Sequence, residues 1–148
     1  MNPFVQILMG TLGTLGFNIL FHIRGRKLWL STLGGLISCA VFLALEPLHS
    51  GEAVRYLVAA AATTVYAEVM ARVEKTPTTT FLVPSIVPLI PGSALYYAMN
   101  YALNMQWSVF ARQTFYTLQL TFSLAAGIIS VTTLVRILQV VIARKTKQ

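Results

Sequence analysis

Acidic side chains are scarce in this chain: four stand against eleven Lys and Arg, and charged residues make up only 10% of 148. So few charges could not clothe a water-facing surface, which excludes an ordinary soluble domain. Cysteine is scarcer still. Cys39 is the only one and lies inside an apolar run. A disulfide framework or a thiolate metal cluster is therefore excluded, and the plain role of Cys39 is small-residue packing. Catalytic constellations are missing too: there are no paired carboxylates, no H-E-x-x-H, no G-x-S-x-G and no nucleotide-binding motif. The expectation is no enzyme, no metal site and no cofactor. The first apolar run has neither a basic leader nor an A-x-A-like exit, so it reads as a retained span and not a cleaved signal.

What the chain has is apolar length. Hydrophobic residues reach 56% and mean hydropathy is +0.71, the signature of an integral membrane protein. The formal charge of +7 raises the question of nucleic acid. Its basic residues, however, sit in short clusters between apolar runs and form no face or stripe, so no nucleic-acid partner is expected.

Five apolar segments can be drawn in one membrane domain, 1–148: Phe4–Ile23, Leu28–Leu45, Val54–Met70, Phe81–Met99 and Phe115–Ile142. The expected fold is an all-α helical bundle in the bilayer, with about five spans. The fifth would reach about 42 Å as a helix, so its end around Arg136 should project into the cytoplasm. Loop charge then orients the bundle. Arg24, Arg26 and Lys27 fill the first link, Arg72 and Lys75 the third, and Arg144, Lys145 and Lys147 the tail, whereas the other links hold Arg55 and Arg112 near Glu46 and Glu52. Lys and Arg mark cytoplasmic loops, which sets the N-terminus outside and the C-terminus in the cytoplasm. A related half fused to an odd number of spans would insert inverted, as in many secondary transporters. One five-span unit is small for alternating access, so a partner is expected.

Polar and small residues mark faces within the spans. Gly10, Gly13 and Gly16 permit close helix approach. Asn18 and His22, four apart, would share a helix face, either as a polar lining and proton relay or with His22 simply meeting headgroups. Ser31, Gly34, Gly35 and Ser38 read as a packing face. Ala60, Thr64, Glu68 and Ala71 form a stripe with Tyr66 beside it. Glu68 is either an ion-pair partner of Arg72 or a coupling carboxylate. Gln119, Ser123, Gly127, Ser130 and Thr133 repeat at three-to-four spacing and should face a bundle or a pore.

The fourth segment is broken by Pro84, Pro88 and Pro91-Gly92-Ser93. Each proline deletes a helical hydrogen bond, and a hydrophobic segment broken near its middle points to a transport site. Pro91 falls about 15 Å in from Phe81, near the midplane. Ser93 then reads as the N-cap of a half-helix through Ala94–Leu103, whose free N–H groups suit a carboxylate. Tyr96, Tyr97 and Asn100 follow on its first turns. The other reading is a proline-kinked structural helix repaired by its neighbours.

The runs Tyr66-Ala67-Glu68-Val69-Met70-Ala71-Arg72, Lys75-Thr76-Pro77-Thr78-Thr79-Thr80-Phe81-Leu82-Val83-Pro84 and Ile86-Val87-Pro88-Leu89-Ile90-Pro91-Gly92 resemble the C-terminal half of the threonine/serine exporter family. Gly16-Phe17-Asn18 and Phe21, followed by a basic loop, resemble it too. The resemblance implies a bacterial inner-membrane subunit that works with a larger membrane subunit and exports small amino acids. Split members of the family are linked to dicarboxylate (succinate) export. A gradient-driven exporter is therefore expected, with Pro88, Pro91, Gly92, Ser93, Tyr97 and Asn18 at the substrate and Glu68 or His22 carrying the proton. The rival readings are a succinate exporter subunit and a non-transporting scaffold. Oligomerisation is compatible with each.

Overall fold

The computed structural model describes residues 2–48 and 51–145, apart from the side chains of 48 and 142–145. Lys147 lies outside the described residues. Within them the chain forms helices and no strand: α1 (Pro3–Leu20), α2 (Arg26–Ala44), α3 (Glu52–Val73), α4 (Thr79–Ile86), α5 (Gly92–Leu103) and α6 (Trp107–Lys145), with 3-10 turns at Glu46–Leu48 and Val87–Leu89. The all-α membrane bundle is thus the observed architecture.

Side-chain pairs fix how the helices run. Asn18 meets Thr32 and Gly10 meets Cys39, so α1 and α2 are antiparallel. Tyr66 donates to the Leu30 carbonyl and the Phe42 ring meets Tyr56, which makes α2 and α3 antiparallel. Tyr116 bonds Glu52 while Arg72 and Gln139 line one groove, so α3 and α6 are parallel. One end of the bundle collects Arg24, Arg26, Lys27, Arg72 and Lys75, and this is the basic end. Glu46, Glu52, Arg55 and Arg112 lie toward the opposite, far end.

By length and hydropathy, α1, α2 and α6 are each able to cross a membrane, and α4 with α5 forms a fourth, bent pair. The remaining helix, α3, runs the distance between the two ends but is less apolar. Its position explains this, because it packs against α2, α4 and α6 and hides Ala59, Ala60, Thr63, Thr64 and Ala67 completely. Thr63 and Thr64 return their hydroxyl protons to the Ala59 and Ala60 carbonyls, both at 2.7 Å, so neither leaves a polar group unpaired in the interior.

The packing face expected on α2 is buried along its length: Ser31, Gly34, Gly35 and Ser38 are all covered. An added Cβ on Gly34 would stand 3.0 Å from the Ser85 Cβ, and one on Gly35 2.6 Å from the Thr14 Cβ. Close backbone approach through small residues replaces the hydrophobic drive that lipid does not supply.

Three helices stop in the same way. After α1, the amides of His22 and Ile23 bond the Ile19 and Asn18 carbonyls; Lys75 and Thr76 repeat the pattern after α3, and Met105 and Gln106 after α5. This is the Schellman arrangement, whose C′ residue is left-handed. His22, Lys75 and Met105 take φ values of 58°, 50° and 56°.

Candidate functional site

The broken segment is built as a bent pair. Pro84 lies inside α4, where its missing N–H frees a carbonyl one turn back. The chain then tightens into the 3-10 turn containing Pro88, extends at Ile90, and restarts as α5 at Gly92. The two halves meet at 55°. Ser93 does not cap α5. The N-cap is Pro91, with φ −74° and ψ 59°, and no side chain caps the helix. Because the proline ring already sets the turn, the helix begins two residues early and Ser93 falls inside its first turn. Pro88 sits 3.5 Å from where a Cβ on Gly10 would be, so the break lies at the level of Gly10 in α1, about 18 Å along the chain from the start of α4 at Thr79.

Around the break the structure gathers residues from four helices. Leu89 and Ala94 pack with Tyr56, Ala59 and Leu120 in one core cluster. Gln6, Gly10, Cys39, Phe42, Leu43, Pro88 and Leu89 line a groove of about 220 Å³. The Arg55 guanidinium lies over the Phe42 ring, 5.0 Å from its centroid. One turn earlier, Glu52 accepts the Tyr116 hydroxyl proton, and the Gln113 amide reaches the Ala94 carbonyl at 3.4 Å. At the start of α5 the Gly92 N–H is donated to the Ile90 carbonyl at 2.7 Å, which leaves those of Ser93 and the buried Ala94 ahead of the first helical hydrogen bond, Leu95 N to Pro91 O at 3.1 Å. Gly92, Ser93 and Tyr97 are exposed there, with nothing within 4 Å of a Cβ on Gly92.

The other site candidates stand elsewhere. Asn18 is fully buried between α1 and α2, donating to Thr32 Oγ1 at 3.1 Å while its Oδ1 has no partner. It lies eight residues, about 12 Å, from the Gly10 level and does not join the break. His22 does not share a helix face with Asn18, because α1 ends at Leu20 and His22 occupies the exposed left-handed turn. Glu68 pairs with Arg72 at 3.1 Å, its side chain only 15% exposed. Arg26 pairs with Glu74 at 3.4 Å nearby. The α6 stripe divides: Gly127 turns to α3, while Gln119, Ser130 and Thr133 stay exposed.

Glu52, Arg55, Gln113 and Tyr116 are not singled out by the sequence, in which Glu52, Arg55 and Arg112 are expected only as loop charges. Glu52 and Arg55 form the first turn of α3. Only the return of α6 past α5, a tertiary event, brings Gln113 and Tyr116 to the break. The available signal was the Glu52–Arg55 spacing of three, the reach of one helical turn.

No curated protein and no solved structure matches this chain. The family described as Threonine/Serine exporter, ThrE, matches it over residues 6–134, a range that takes in α1 to α5 and most of α6. Helices able to cross a membrane and a proline-broken pair ending on a half-helix accord with a transporter family, and the chain belongs to the threonine/serine exporter family.

Proposed function

We propose that this chain is the five-span half of a gradient-driven exporter of threonine, serine and similar small amino acids, completed by a larger membrane subunit. Its N-terminus faces outward and its C-terminus the cytoplasm of a bacterial inner membrane, because the basic end carries the Lys and Arg of the first and third links. The observation that supports this reading best is the start of α5. A half-helix begins within the membrane domain with the partly positive N–H groups of Ser93 and Ala94 outside its hydrogen-bond ladder, and Arg55 lies over the Phe42 ring that lines the groove with Pro88. A substrate carboxylate would meet those amides, with Ser93 and Tyr97 offering hydroxyls, while the facing wall comes from the larger subunit. Pro88 and Pro91 hold the break open by denying it helical hydrogen bonds. A dicarboxylate such as succinate is the second reading, favoured by the Arg55 cation over the Phe42 ring of the adjoining groove.

Of the two proton-coupling candidates Glu68 is the better placed, being largely enclosed and ion-paired, whereas His22 serves a turn. Reconstitution of both subunits in liposomes tests the assignment. Pro91→Ala with Gly92→Leu, which closes the break, should abolish threonine and serine efflux while leaving assembly intact. Full transport by that variant would instead favour a scaffold whose prolines are structural. Comparing threonine, serine and succinate in the same vesicles decides the substrate.

A further inference from the structure

Along α6 the residues Gln119, Ser123, Ala126, Ser130, Thr133 and Ile137 recur at spacings of four and three, a repeat of 3.5 residues. That period marks the seam of two helices wound left-handedly about each other. All of them are exposed except the half-buried Ser123, and only 6% of the apolar window of α6 is buried within the chain. Ser123 and Ser130 satisfy their hydroxyls on the Gln119 and Ala126 carbonyls, at 2.9 and 2.7 Å. The Gln119 side-chain amide has no hydrogen-bond partner among the described residues. It stands seven residues inside Arg112, about 10 Å along the helix, where hydrocarbon leaves an unpaired amide strongly disfavoured. Whatever covers this face must therefore both hydrogen-bond and approach closely.

We propose that a second copy of this chain covers it, α6 against α6 about a twofold axis along the membrane normal. Copies inserted in one membrane share an orientation, so their α6 helices meet parallel, the pairing that a 3.5-residue seam serves. An amide carries both donors and an acceptor, so Gln119 pairs with its own mate across the axis. The small side chains at 123, 126 and 130 admit close approach. Charge agrees at the far end. Arg112 lies on the same face and makes no ion pair among the described residues, while Glu52, beside α6, accepts only the Tyr116 hydroxyl. Across the axis each Arg112 meets the Glu52 of the other copy.

Oxidative cross-linking of single cysteines in membranes tests this, in the full chain carrying Cys39→Ser. Cysteine at Ser123, Ala126, Ser130 or Thr133 should give a disulfide dimer of twice the chain mass, and cysteine at Leu118 or Ile129, on the neighbouring face, should not. Gln119→Leu should reduce the Ser130→Cys dimer several-fold, with Gln119→Asn retaining it. Arg112→Glu should weaken the dimer and adding Glu52→Arg should restore it. Equal cross-linking at all six positions, none at any, or a product containing a different protein would overturn the proposal.

Discussion

Gly127 of α6 rests on the α3 backbone at Leu57: a Cβ there would stand 2.5 Å from the Leu57 carbonyl oxygen and 3.0 Å from the Ala60 Cβ. No rotamer relieves contact with a backbone oxygen, so any larger residue must push α6 away from α3. Gly127→Val should cost about 1–3 kcal/mol, the range for overpacking. Gly13→Ala and Gly16→Ala meet nothing within 4 Å in this chain and, lying inside α1, should each stabilise it by about 0.5–1 kcal/mol. Denaturant titration of the purified chain in detergent, read by far-UV circular dichroism, measures all three.

The turn between α1 and α2 makes a second prediction, with two signs. Gly25 has φ +68° and ψ −143°, a region that a Cβ makes costly, so Gly25→Ala should destabilise by about 1–3 kcal/mol. His22 also has positive φ but stands at a Schellman C′ position, where glycine is the preferred residue. His22→Gly should stabilise by up to about 1 kcal/mol. It should also leave efflux unchanged, because the turn and not the imidazole is what this position supplies. Loss of transport in His22→Gly, with the fold intact, would return the proton to His22.

Much of this architecture was legible because lipid leaves few alternatives. Apolar runs of the right length marked the helices, and the spacing of Ser31, Gly34, Gly35 and Ser38 on one helix face marked a packing surface. Positions along the helices were less legible. The α1 boundary moved from Ile23 to Leu20 because the chain turns left-handed at His22, which no composition rule foretells. The start of α5 moved from Ala94 to Gly92 because Pro91 itself takes the cap position. The ring of Glu52, Arg55, Gln113 and Tyr116 was invisible for another reason. Its members are 64 residues apart at the widest hydrogen bond, and only the docking of α6 on α3 and α5 assembles them.

Glu68 separates a coupling role from a structural one. Arg72 donates to its carboxylate at 3.1 Å and to its backbone carbonyl at 3.3 Å. In Glu68→Gln the second bond survives and the charge pair does not. If Glu68 carries the coupled proton, efflux driven by an imposed pH gradient should fall at least tenfold, while exchange of substrate across the vesicle membrane continues. A purely structural pair predicts the reverse: a modest loss of thermal stability, an exposed or half-exposed ion pair being worth about 1 kcal/mol or less, with the response to the gradient retained. Measuring both quantities on the same preparation distinguishes them.

The Glu52–Tyr116 bond ties α3 to α6 at the far end, one turn from the Gln113 amide that holds the Ala94 carbonyl of α5. If transport parts α6 and its attached α5 from α3 at the far end, this bond must break, and it then biases the molecule against that motion. At this exposed position the bond contributes about 1 kcal/mol, enough to shift a two-state population several-fold. Tyr116→Phe keeps the ring and removes only the donor. In a chain carrying Cys39→Ser and Tyr97→Cys, this change should make labelling by a membrane-impermeant maleimide from the far side several-fold faster. Gln113→Leu should act in the same direction, because it releases α5 from α6. Unchanged labelling in Tyr116→Phe would mean that the bond merely decorates a rigid end, and that the break opens by bending at Pro88 and Pro91 instead.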